Sequence, residues 1–172
     1  MSEPIVITAE HAPAPLKVVG EEITVLASGE QTGSYEIFRQ RGPEGSGPPP
    51  HSHPWDEAFY VIEGQVQFGV GDVQDLIARP GTLVHVPGGT THWFRFAPGG
   101  GVMISITSRA GASAFFTQVD AEVSATNPDL GALIGVAAAH GLDVPVPAEE
   151  LSPGRVVKHV RRHAIVGDAD DR

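Results

Sequence analysis

Apolar and polar positions alternate in short runs along residues 5–107. Residues 5–8, 22–26, 34–38, 57–62, 65–70, 82–86, 92–96 and 102–107 each read as a strand, because alternation gives a strand one buried and one outward face. Turn-forming residues separate the runs: Glu63-Gly64, Gly71-Asp72, Arg79-Pro80-Gly81, Pro87-Gly88-Gly89 and Pro98-Gly99-Gly100-Gly101. Regularly spaced short strands with such turns predict an antiparallel sandwich or barrel. The period changes after residue 110. Residues 112–123 read as a helix with Phe115, Phe116 and Val119 on one side. Asn127 as N-cap and Pro128 at the first helical position open a second helix. Its buried stripe is Leu130, Leu133, Ile134 and Ala137, and Gly141 ends it. The expected division is a barrel over residues 1–110 and a helical extension over 111–172, in one structural domain. Residues 142–166 give no firm reading, and the acidic end is expected to fray.

Alternation also ranks the chemistry. His51 and His53 stand on one face of a strand with Ser52 opposite. Glu57 can join them from the next strand after a turn at Pro54-Trp55-Asp56, and two imidazoles with a carboxylate suit a borderline divalent metal. His92, opening a strand after Pro87-Gly88-Gly89, is the fourth candidate. If Glu57 and His92 face inward, so do Phe59, Val61, Phe94 and Phe96, which then either line a substrate pocket or fill the barrel. Ala58, Tyr60, Ile62 and Trp93 fall on the other face and need cover from the C-terminal helices or from a second subunit, so a homodimer is expected. His85 reads as a half-exposed strand residue; His11, His140, His159 and His163 show no ligand spacing.

Composition narrows the partners. The 172 residues carry 21 acidic and 11 basic side chains, a net charge of −10. That balance disfavours nucleic acid and anionic membrane, and the basic run at residues 155–163 reads as a solvated element. With no cysteine, disulfides, thiolate metal sites and thiol nucleophiles are excluded. The first residues lack a basic start and a long apolar run, so no signal peptide is expected, and a cytoplasmic location is.

The histidines fall in a longer pattern. Gly45, His51, His53, Glu57 and Gly64 fill the fixed positions of G-x5-H-x-H-x3,4-E-x6-G. Gly81, Pro87, Gly89 and His92 fill those of G-x5-P-x-G-x2-H-x3-N, except that Phe96 stands where Asn is usual. In these two motifs the chain resembles the cupin superfamily over roughly residues 20–110. The resemblance implies an all-β antiparallel jelly-roll barrel with His51, His53, Glu57 and His92 holding one divalent metal ion. Iron, nickel, cobalt, manganese and zinc all suit that set. Phe96 changes local packing or the pocket wall without touching the ligand set. The helical tail is more weakly similar to that of quercetinase-like monocupins. The expected function is therefore a metal-dependent dioxygenase acting on a hydroxylated aromatic small molecule, with Glu57 as ligand and base. A redox-neutral cyclase or isomerase and a non-catalytic ligand-binding cupin are the alternatives, and no attached DNA-binding domain points to a transcription factor.

Overall fold

The computed structural model describes residues 4–109 and 111–145. Seven strands form the body: β1 (Leu16–Val18), β2 (Glu21–Ala27), β3 (Tyr35–Gly42), β4 (Glu57–Val70), β5 (Val73–Ala78), β6 (Leu83–Val86) and β7 (His92–Ser108). A short helix α1 (Gly29–Thr32) links β2 to β3, and α2 (Ala112–Glu122) and α3 (Leu130–Ala139) follow the body. Every named strand pair is antiparallel, in the order β1-β2-β3-β7-β4-β5 with β6 beside β4, giving a jelly-roll-like fold.

Two strands are longer than the alternation predicted. Residues 57–62 and 65–70 form one strand, and Glu63-Gly64 is a paired step between two register irregularities inside it rather than a turn. Likewise residues 92–96 and 102–107 are both parts of β7, with Pro98–Gly101 inside the strand rather than beyond its end. Gly64 explains why the bend is tolerated. Its φ is +75°, and a Cβ there would sit 2.2 Å from the Gly100 carbonyl oxygen. A turn signal and a bulge signal use the same residue types, and only the facing strand decides between them. The expected strand at residues 5–8 is absent. Ile5 and Val6 are exposed there and pair with no strand among the described residues, and an apolar run needs a neighbour for its backbone groups to become a strand.

The inner faces build two apolar clusters. One lies inside the sheet and contains Phe59, Val61, Val66, Phe68, Val84, Phe94, Phe96 and Met103. Phe96 sits over Gly42 and Gly101, where added Cβ atoms would lie 2.3 and 3.0 Å from its ring. The residue that departs from the motif therefore fills the barrel rather than the pocket wall. The second cluster joins Val18, Ile23, Phe38 and Trp55 to Phe115, Val119, Val136 and Ala137 of the helices.

The helices thus cover the β1–β3 wall from inside, not an outer face. The outer face of β4, β6 and β7 leaves Tyr60, Ile62, Leu83 and Ile106 exposed. His85 is also exposed there, beside Ala58. Glu36 fastens the helices: fully buried on β3, it accepts from the Gly29, Gly111 and Ser113 amides at 3.0, 3.3 and 3.0 Å and from the Ser113 hydroxyl. The N-cap of α3 is Asp129, which accepts from the Ala132 amide at 3.0 Å, so the helix starts later than Asn127-Pro128 suggested and Leu130 is exposed. Of the expected stripe, Ala137 is buried, Leu133 packs beside it and Ile134 lines the pocket, while Val136, not foreseen, is buried where Leu130 is not. Expectations for residues 146–172 lie outside the described residues. No helix among the described residues is long and apolar enough to cross a membrane.

Candidate metal centre

The two motifs meet through the backbone. His51 and His92 exchange amide–carbonyl hydrogen bonds at 3.0 and 2.9 Å, and the Gly89 amide donates to the His53 carbonyl at 2.7 Å. Asp56 accepts from the Gly88 amide at 2.9 Å. On its other side the histidine segment is latched to the stretch that follows α3, because Ser52 and Asp143 exchange hydrogen bonds at 2.9 and 2.8 Å. The segment between β3 and β4 is therefore held from both flanks.

This brings His51, His53 and His92 together, buried, with ligand atoms within 4.8 Å of one another. Each Nδ1 faces a backbone carbonyl: His51 to Pro49 at 3.0 Å, His53 to Trp55 at 2.9 Å, His92 to Thr90 at 2.9 Å. A carbonyl can only accept, so each Nδ1 carries the proton and each Nε2 is left with its lone pair. That is the outer-shell arrangement by which proteins orient metal-binding imidazoles.

Glu57 lies against the trio. Its Oε2 is 3.0 Å from His53 Nε2 and 3.5 Å from His92 Nε2. Burial works to raise the Glu57 carboxyl, but its contacts with His53 and His92 outweigh that and hold it down at about 2. Burial first, and then His92, push the His51 imidazole down to about 4, so at neutral pH it is uncharged. His92 Nε2 is buried with no hydrogen-bond partner among the described residues. A carboxylate held ionised against these nitrogens needs positive charge beside it, either a second proton on His53 or His92 or a bound cation, and an orphaned imidazole nitrogen is costly. The donor set fits a divalent metal ion on those grounds.

The metal group opens on a pocket whose walls come from three places. Phe59 and Phe94 come from the sheet, Trp55 from the ligand loop, and Phe115, Phe116 and Leu133 from the helices. Of the four pocket residues expected, Phe59 and Phe94 line it, whereas Val61 and Phe96 lie in the barrel cluster. Alternation assigns a side chain to a face but not to a depth along the barrel, which is why all four looked alike. The sequence reading also missed Trp55, whose position in a turn gave no sign of burial. It missed Glu21 and Gln40 too, two polar side chains that alternate inward on β2 and β3 and line the same pocket. Their signal was present: a charged and an amide residue in phase with Ile23 and Phe38.

The family model described as "Cupin domain" matches residues 38–106. A stretch of 72 residues, 41% of this chain, is 33% identical to quercetin 2,3-dioxygenase of Bacillus subtilis (strain 168), but spans only 21% of that protein. Among solved structures, an RmlC-like cupin from Shewanella frigidimarina NCIMB 400 superposes with a TM-score of 0.57 at 21% identity, over 66% of this chain and 96% of that one. The polyketide cyclase RemF from Streptomyces resistomycificus superposes with a TM-score of 0.51 at 18% identity, over 60% and 77%. At these identities the structural likeness shows the fold alone.

Proposed function

We propose that this chain, whose residues 38–106 match a cupin domain model, is a cupin and a metal-dependent dioxygenase that acts on a hydroxylated aromatic small molecule. The observation that carries the reading is the convergence of three imidazoles and the Glu57 carboxylate beside an aromatic pocket. The partial likeness to quercetin 2,3-dioxygenase supports it.

His51, His53, His92 and Glu57 would hold one divalent ion. When bound, such an ion supplies Lewis acidity toward a substrate oxygen and, if redox-active, a means of engaging dioxygen. The rest falls to the chain. Phe59, Phe94 and Phe115 grip an aromatic ring from two walls, and α2 and α3 keep bulk water from it. Glu57 Oε2 takes the proton of the substrate hydroxyl. A carboxylate that held a dication would be a weak base, so Glu57 would serve as a base only when not acting as a ligand.

A redox-neutral cyclisation or isomerisation is the second reading. Glu21 favours it. Burial, and then the charge of Glu57, push its carboxyl up to about 8, which makes it a proton donor inside the pocket at pH 7. Oxygen-electrode measurements on the iron-, nickel- and cobalt-loaded protein with a panel of flavonols and catechols separate the two. Uptake that is absent in His51→Ala/His92→Ala supports dioxygenation. No uptake across the panel contradicts it, and turnover with zinc alone would establish the redox-neutral reading.

A further inference from the structure

The pocket is apolar apart from the metal group and one other place. Glu21 on β2 and Gln40 on β3 lie diagonally across the strand pair, since Ile23 faces Gln40 directly. Both side chains are buried and both line the pocket. Glu21 Oε2 and Gln40 Oε1 have no hydrogen-bond partner among the described residues. Leaving a buried polar group unpaired costs about 1–3 kcal/mol, so two of them aimed into one cavity call for a ligand that satisfies them. Ser105 and Thr107 hydroxyls are unpaired as well, but neither lines the pocket.

We propose that Glu21 and Gln40 form a hydrogen-bonding anchor for a second hydroxyl group of the substrate, separate from the oxygen that meets the metal group. A hydroxyl both donates and accepts, and these two side chains offer an amide oxygen that only accepts and a carboxyl that does either. The anchor makes the pocket selective for polyhydroxylated over monohydroxylated aromatics. The inference rests on the reading of the pocket as a site for hydroxylated aromatic molecules.

Calorimetric titration of the zinc-loaded protein tests it, because zinc holds the site without oxygen turnover. The probes are 3-hydroxyflavone and quercetin, which share the metal-facing group and differ in further hydroxyls. Quercetin should bind at least about tenfold more tightly to the wild type, the worth of one well-formed buried hydrogen bond. In Glu21→Leu and Gln40→Leu that preference should fall several-fold through weaker quercetin binding, with 3-hydroxyflavone unaffected. Glu21→Gln, which keeps the shape and a hydrogen-bonding head, should retain it. Equal affinities in the wild type, or an undiminished preference in both leucine variants, would overturn the anchor while leaving the hydroxylated-aromatic reading intact. Binding of neither flavonol would overturn both.

Discussion

The Trp55 indole lies flat on the His53 imidazole, with ring centroids 4.4 Å apart and planes 10° from parallel. The Trp55 carbonyl also accepts from His53 Nδ1 at 2.9 Å. One residue thus fixes both the plane and the tautomer of a candidate ligand, while its other face joins the helical cluster. Trp55→Leu keeps the carbonyl and removes the stack. We expect zinc affinity to fall about tenfold, the usual cost of losing a group that orients a ligand. Chelator competition measures it, and an unchanged affinity would show that the carbonyl alone sets the ring.

Glu36 gives a stability prediction with a defined pH window. Burial works to raise its carboxyl, but the Ser113 hydroxyl and the Gly29, Ser113 and Gly111 amides together hold it below its ordinary value. A depressed folded pKa contributes stability above the unfolded value of about 4.3, which is lost as pH falls through the folded value. Glu36→Gln should cost about 1–3 kcal/mol at pH 7, as charge-assisted hydrogen bonds do. Urea unfolding should show the two proteins converging below pH 4. A gap that does not shrink on acidification would mean that packing, not charge, holds the helix.

Glu21 behaves in the opposite sense. Its folded value is raised to about 8, so the wild type loses stability as pH climbs from about 4.3, where the unfolded chain ionises. Glu21→Gln removes that loss. The metal-free variant should be more stable than wild type at pH 7 by more than about 1 kcal/mol. The advantage should grow from pH 4.5 and level off near 8 in thermal melts. A variant that is less stable at pH 7 would show that Glu21 serves the fold.

Gly64→Ala should destabilise the chain by more than about 2 kcal/mol, since φ is +75° and the methyl would strike the Gly100 carbonyl. Denaturant unfolding checks this. A neutral outcome would mean that β4 and β7 can separate locally at Gly64.

The grouping of these side chains was legible in the sequence because metal motifs specify spacing. His51, His53, Glu57 and His92 come together as their pattern implied. Inward and outward faces were equally legible, since alternation is a local property: Phe59 and Phe94 are buried and Tyr60 is exposed. What stayed hidden depends on partners distant in the chain. Whether Glu63-Gly64 turns or stays within the strand is decided by Gly100 on β7. Whether Phe96 lines or fills is decided by Gly42 and Gly101. That α2 and α3 roof the pocket follows from Ser52 pairing with Asp143 and from Glu36 holding the start of α2.

Elemental analysis of the purified protein beside His51→Ala/His92→Ala tests the central claim most directly. The account predicts about one divalent metal ion per chain in the wild type, released when the two ligands are removed. A wild type that holds no metal even after reconstitution, or a double variant that holds as much, would contradict it.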